Sequence, residues 1–222
     1  MDRCNYQRED TTDMNNLHLI EKYFELTPEQ RTRFEALDEV YREWNAKINV
    51  ISRKDMDSIY LHHVLHSLAI AKICRFKEGA RILDVGCGGG FPSVPLAILF
   101  PEAHFTACDS IGKKIRVVEG VCSALDIKNV RAVNCRVEQL GERFDYIVSR
   151  AVTDMPTFVG WVKGMVQPGQ QGSRPNGILY LKGGDLTAEL AASRRAWQRF
   201  AIADHFDEEF FTTKEVVYSP FF

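Results

Sequence analysis

The residues best suited to chemistry stand between Arg81 and Pro95, where Ile82, Leu83, Asp84 and Val85 run into Gly86, Gly88 and Gly90, then Pro92 and Pro95. The apolar residues suit a buried parallel strand. The glycines let the chain reverse and bring backbone N–H groups to a ligand with no Cβ in the way. The prolines suit the first turn of a helix, whose free N–H groups favour anionic ligand atoms. Asp109 follows Gly86 by 23 positions, after a second short run, His104 to Cys108. That spacing suits a carboxylate accepting hydrogen bonds from a ribose, and the same side chain could cap a helix beginning near Ile111. Together these residues describe a turn for a nucleotide-type cofactor.

A dinucleotide turn of the form G-x-G-x-x-G needs glycine where Phe91 stands, so that fingerprint is incomplete. The pattern present, Asp84-x-Gly86-x-Gly88-x-Gly90, resembles motif I of the S-adenosylmethionine-dependent methyltransferases. Such a loop has no pyrophosphate to neutralise and makes room for a zwitterionic amino acid and a sulfonium. An NAD-dependent oxidoreductase would also want a glycine turn and Asp109. On these residues alone it stays open, as do a small-molecule methyltransferase and a non-catalytic RNA-binding protein.

Three further places fall at strand ends. Arg136-Val137-Glu138 follows the third strand and could frame an adenine; Ser149-Arg150-Ala151 ends the fourth; Lys182-Gly183-Gly184 ends the fifth. In open α/β sheets ligands bind outside the carboxyl ends of the strands, so all three converge on one edge with the glycine turn.

The elements that must position these residues are legible in the apolar spacing. Thr27-Pro28-Glu29 starts a helix whose stripe is Phe34, Leu37, Val40, Tyr41, Trp44 and Ile48, and a second helix spans about 58 to 73. From Arg81 onward the expected order is strand 81–85, helix 92–99, strand 104–108, helix 112–125, strand 130–134, strand 146–149, helix 156–166, strand 178–182 and helix 186–203. Two β-rich stretches, 209–211 and 215–218, then form a closing hairpin. This alternation predicts an α/β fold: a doubly wound, Rossmann-like class I methyltransferase sheet, mostly parallel with an antiparallel C-terminal edge, plus an N-terminal helical extension. The expected organisation is a disordered segment 1–15, a helical extension 16–77 and a methyltransferase domain 78–222, the last two forming one unit.

The chain has 222 residues, 45% of them hydrophobic, enough for one substantial core, and a formal charge of −2, so any nucleic-acid contact must be local. No apolar run approaches a membrane span and the first 15 residues lack a signal-peptide core, which reads as a soluble, cytoplasmic chain. The six cysteines form no C-x-x-C pair and read as reduced core residues. His62 and His66 stand four apart, as zinc ligands do on a helix, but His63 occupies the place of a zincin's glutamate and no third ligand is evident, so no metal is expected.

From Thr27 to Lys182 the chain resembles the bacterial small-subunit (16S) ribosomal RNA guanine-N7 methyltransferases, also called methyltransferase G or glucose-inhibited division protein B. The resemblance rests on Trp44-Asn45 with Asn49, His63 and Ser67, the glycine turn, Asp109-Ser110-x-Gly112-Lys113-Lys114, Arg136-Val137-Glu138, Ser149-Arg150-Ala151 and Leu181-Lys182-Gly183. It implies S-adenosyl-L-methionine as cofactor, with Gly86 and Phe91 in the cofactor loop, Val137 and Glu138 on the adenine side and Arg150 at a cofactor or active-site position. Gly88 and Asp109 join this set from the reading of the turn. Asn49, His63, Arg150 and Lys182 are the candidates for orienting the target base or phosphates. The implied partner is small-subunit ribosomal RNA, free or in an assembling particle, with no membrane and no DNA; oligomeric state is left open. Arg53 with Lys54, Lys113 with Lys114 and Arg116, and Arg194 with Arg195 could track phosphates. The chain departs from the family's usual residues at Cys87, Gly89, Phe91 and Ser93 in the turn, and at His66, where an Asp is common.

Overall fold

The computed structural model describes residues 16–220, so the expected disordered segment 1–15 lies outside the described residues. Among the described residues seven strands form one sheet in the order β3-β2-β1-β4-β5-β7-β6. They are β1 (Arg81–Val85), β2 (His104–Asp109), β3 (Val130–Asn134), β4 (Tyr146–Arg150), β5 (Gly177–Gly183), β6 (Gln198–Ala201) and β7 (Lys214–Pro220). β1 to β5 run parallel, while β7 pairs antiparallel with both β5 and β6. This is the doubly wound sheet with an antiparallel C-terminal edge that the alternation of elements implies. No helix among the described residues is long and apolar enough to cross a membrane.

Strand residues alternate between two apolar layers, as the two-residue period of a strand requires. Ile82, Val148, Leu179 and Val216 belong to one layer with Leu17 and Ile20 of α1 (Leu17–Glu21) and with Phe34, Leu37 and Tyr41 of α2 (Pro28–Lys47). Leu83, Ile147, Ile178 and Val217 belong to the other, with Phe158 of α7 (Met155–Trp161) and Leu190 of α8 (Thr187–Ala192). The helical extension therefore covers the same face as α5 (Ser93–Leu99) and α6 (Gly112–Ala124).

Two side chains fix how α2 sits on that face. Thr27 and Gln30 form a reciprocal capping box, and the Gln30 amide also donates to the carbonyls of Ile98 and Leu99 at 3.1 and 3.0 Å. One residue thus closes the start of α2 and satisfies orphan carbonyls at the end of α5. Farther along, the Trp44 indole packs against Gly120 of α6 so closely that a Cβ at Gly120 would collide with its ring atoms.

After Arg53–Met56, which forms α3, the expected helix 58–73 is continuous but not uniform. Tyr60–Leu65 winds as a π-type turn before α4 (His66–Ile73), and that widened turn carries His62 and His63. Such turns reorient side chains that a regular α-helix would leave on its own period.

Three expectations are corrected. The helix expected over 156–166 ends at Trp161, because Phe144 and Val166 form a bridge that takes the chain back to the sheet. The helix expected over 186–203 ends at Ala192, where Arg194 adopts φ 55, and 198–201 becomes edge strand β6. The closing hairpin is accordingly β6 with β7, and Glu209–Phe211 is a 3₁₀ turn, its Phe211 fully buried against Phe206 and His66. Pairing at the sheet edge overrode helical periodicity over 198–201.

Replacing Gly120 by Ala should lower stability by about 1–3 kcal/mol, because displacing Trp44 outweighs the better helix propensity of Ala. A downward shift of the urea unfolding midpoint measures it; a rise would show that Trp44 moves without cost.

Candidate functional site

A cavity of about 440 Å³ opens at the carboxyl ends of β1, β2 and β4. β1 lies between β2 and β4, where the strand order reverses, the topological switch point at which open α/β sheets bind ligands. Its volume falls within the range of small-molecule sites.

The glycine turn makes the floor. Gly86 and Gly88 have φ 66 and 56, left-handed values that residues with a Cβ seldom adopt. A Cβ at Gly86 would meet the Val152 side chain at 2.5 Å, whereas one at Gly88 would meet nothing within 4 Å. One glycine is required for packing; the other leaves open space beside the backbone.

Two carboxylates hold this turn. Asp84 is fully buried, and its Oδ2 accepts the Ser93 N–H at 2.9 Å, tying the end of β1 to the start of α5. Burial pushes its carboxyl up to about 7, with the Ser93 bonds opposing that rise. Asp109, at the end of β2, accepts the Gly88 N–H at 3.1 Å and the Ile111 N–H at 2.9 Å, with the Lys114 ammonium at 3.8 Å. It braces both the turn and the approach to α6, and it still lines the cavity. A carboxylate has about four lone-pair sites, so two backbone bonds leave capacity for a ligand hydroxyl.

Arg150 forms the opposite wall. Its Nη1 donates to the His62 carbonyl at 2.9 Å and its Nη2 lies 2.7 Å from His63 Nδ1. A guanidinium only donates, so Nδ1 must be the accepting nitrogen and the imidazole is neutral with its proton on Nε2. Burial, reinforced by the Arg150 charge, holds the His63 imidazole down to about 3. The guanidinium lies over the Phe91 ring at 5.4 Å, and Phe91 stacks on Tyr41 at 4.8 Å. The Tyr41 hydroxyl donates to the Gly89 carbonyl at 2.8 Å, so α2 buttresses the turn from behind.

The structure brings Gly86, Gly88, Phe91, Asp109, Val137, Glu138, Arg150 and His63 around this one cavity. Val137 and Glu138 arrive on a 3₁₀ turn after β3, Val137 buried and Glu138 exposed. Two other residues singled out from sequence are not among its lining residues. Lys182 donates to the Thr153 carbonyl at 2.8 Å and pairs with Glu189 at 2.9 Å. Asn49 is exposed in an adjoining groove. The lining also includes Val50, Val152 and Trp161, which sequence reasoning missed. Apolar residues in turns and at helix ends carry no signal that separates a ligand wall from core. His62 bonds Asp55 at 3.1 Å and stacks on Phe210, while His66 is buried with its Nε2 unpartnered among the described residues. Cys87 is buried, and burial raises its thiol well above the ordinary range, which suits a small residue filling a bend.

A family model described as rRNA small subunit methyltransferase G (GidB) matches residues 30–215, running from within α2 through the whole cavity to the start of β7. The chain belongs to this family. It is 56% identical over 205 residues to "Ribosomal RNA small subunit methyltransferase G" of Christiangramia forsetii, covering 92% of this chain and 97% of that one. Similarity to the same-named protein of Cytophaga hutchinsonii is 53% over 207 residues, covering 93% and 100%. Among solved structures, a SAM-dependent methyltransferase from Aquifex aeolicus superposes with a TM-score of 0.54 over 72% of this chain and 92% of that one, at 15% identity, a likeness of fold. Membership of the methyltransferase G family extends to the helical extension, since the matched region begins within α2. Tyr41, Trp44 and the cavity wall at Val50 are thus part of the family's matched region.

The His63 environment has a pH consequence. Between an unfolded value of about 6.5 and a folded value of about 3, the unfolded chain binds the proton and the folded chain does not, so stability falls as pH drops through that window. His63→Asn should therefore lose less stability than the wild type between pH 6.5 and 4, measured by denaturant unfolding at each pH. Asp84 contributes equally to both proteins and cancels in the comparison. Equal losses would place the His63 shift elsewhere.

Proposed function

We propose that this protein transfers the methyl group of S-adenosyl-L-methionine to N7 of a guanosine in small-subunit (16S) ribosomal RNA, in the cytoplasm, on free RNA or an assembling particle. The observation that carries the reading is the pairing of family membership with the Asp109 carboxylate beside the open backbone of Gly88, at the switch point of the sheet.

The residues present fit this cofactor. Asp109 retains acceptor capacity for ribose hydroxyls, Val137 offers an apolar surface and Glu138 an acceptor on the adenine side, and the space beside Gly88 admits the amino-acid part. When bound, the cofactor supplies a methyl group on a sulfonium, activated for displacement by a nucleophile.

Guanine N7 presents a lone pair and carries no proton, so direct in-line attack needs no general base. His63 agrees with that economy: its imidazole is a weak base at about 3, and Nδ1 already accepts from Arg150. The work left to the protein is to hold the reacting atoms at near-attack distance. Arg150 has three N–H donors beyond the two engaged with His62 and His63, suited to a base carbonyl or a phosphate. Lys182 acts at one remove: by holding the Thr153 carbonyl it steadies the segment that presses Val152 against Gly86.

Methyl transfer from labelled cofactor to small-subunit RNA from cells lacking the modification should place the label on guanine N7, identified by chain cleavage specific for 7-methylguanosine. Label on another atom, or none, overturns the reading. Asp109→Ala should weaken cofactor binding about 10- to 100-fold, the scale of a hydrogen bond to a charged group, read by calorimetry. Unchanged affinity would remove the ribose role. Lys182→Ala should instead lower the transfer rate with cofactor affinity nearly kept.

A further inference from the structure

The groove that adjoins the cavity on the helical extension has a volume of about 580 Å³ and is lined by Arg42, Lys47, Asn49 and Arg53, with no acidic residue in its wall. We propose that it is the phosphate subsite for the RNA strand flanking the target nucleoside, an inference that rests on the methyltransferase reading above.

The link between groove and cavity is one rigid turn. α2 ends at Lys47, and the chain from Ile48 to Ile51 is pinned by Asn45. The Asn45 Oδ1 accepts the N–H groups of Val50 and Ile51 at 2.8 and 2.9 Å, and its Nδ2 donates to the Ile51 carbonyl at 2.9 Å. This fixed backbone places consecutive side chains in different hollows. Val50 lines the cavity, close enough that a Cβ at Gly89 would meet it at 2.9 Å, while Asn49 lines the groove. A nucleotide held in the cavity carries phosphate on both sides of its sugar, so a strand leaving past Val50 meets the groove next.

The charge is suited to that strand. Arg42 is matched by Asp38 at 2.9 Å and Asp57 at 3.2 Å and serves the scaffold. Lys47 and Arg53 are exposed and form no ion pair among the described residues; the Lys47 ammonium rests 5.1 Å from the Trp44 ring. The exposed Asn49 amide adds a neutral donor. Two uncompensated cations and an amide in one wall make a concentrated positive site on a chain of net charge −2. Phosphate contacts of this kind position a strand without reading its sequence.

The test compares wild type, the double variant Lys47→Ala with Arg53→Ala, the charge-preserving swap Lys47→Arg with Arg53→Lys, and the control Lys128→Ala. Lys128 precedes the amino end of β3, so it lies at the opposite end of the strands from the cavity at their carboxyl ends. Small-subunit RNA lacking the modification is the probe, with its affinity measured across a range of KCl concentrations alongside the KM for transfer. The double alanine variant should keep the wild-type affinity for S-adenosylmethionine and raise the KM for RNA about 10-fold. Its plot of log affinity against log salt should be shallower by about 1.4, the value for two single-strand phosphate contacts. The swap and the control should retain the wild-type slope. Wild-type transfer together with an unchanged slope and KM in the double variant overturns the groove alone, as does a swap that loses as much as the alanines. A wild-type chain that transfers no methyl group overturns the methyltransferase reading, and the groove falls with it.

Discussion

The site depends on a single constraint: a backbone turn held open by carboxylates from two neighbouring parallel strands. Asp84 takes the Ser93 N–H on one side of the glycines and Asp109 takes the Gly88 N–H on the other. Glycines alone would give a turn with many conformations, since their freedom is what permits φ 66 and 56 in the first place. The carboxylate bonds select one of them. Because β1 and β2 pair in register from Arg81 with His104 to Val85 with Cys108, Asp84 lies opposite Ala107 and Asp109 stands two positions farther along, toward the glycine turn.

Around this turn the helical extension acts as a second wall rather than as an appendage. Tyr41 reaches from α2 to the Gly89 carbonyl and to the Phe91 ring, Trp44 fills the space over Gly120, and Val50 closes one side of the cavity. The π-type turn over Tyr60–Leu65 supplies the remaining support by delivering the His62 carbonyl and His63 Nδ1 to Arg150. Burial pulls the Arg150 guanidinium down to about 10, with the Asp84 charge opposing that shift, so it stays protonated at neutral pH against the Phe91 face. Its position is thereby set by three separate elements, β4, the π-type turn and the loop carrying Phe91, which is the rigidity a positioning mechanism requires.

Much of this was legible in the chain. The glycine turn, the spacing to Asp109 and the segments at 136–138 and 149–151 identified the cavity's floor and flanks, because short-range motifs specify local backbone. Lys182 illustrates the limit: its place at a strand end pointed to the ligand edge, yet Glu189 of α8 and the Thr153 carbonyl of the loop after β4 hold its ammonium. Asn49 shows the same from the other side, since adjacent residues of one turn face different hollows. The C-terminal region misled for a related reason. The stretch 186–203 has helical spacing, but the unpaired edge of β7 captured its second half.

The sequence by itself determined the order of strands and helices through β5, the glycine turn, its acids and the family to which they belong. These features are encoded by residue type at fixed spacing, and each is specified within a few tens of residues. Only the tertiary structure decided which edge segment pairs with β7, that α2 and the turn after it wall the cavity, that His63 is held neutral by burial and by Arg150, and that Lys47 and Arg53 share a groove next to it. Those outcomes depend on contacts between residues far apart in the chain. Local periodicity does not encode them, because burial and pairing are settled only when the layers close.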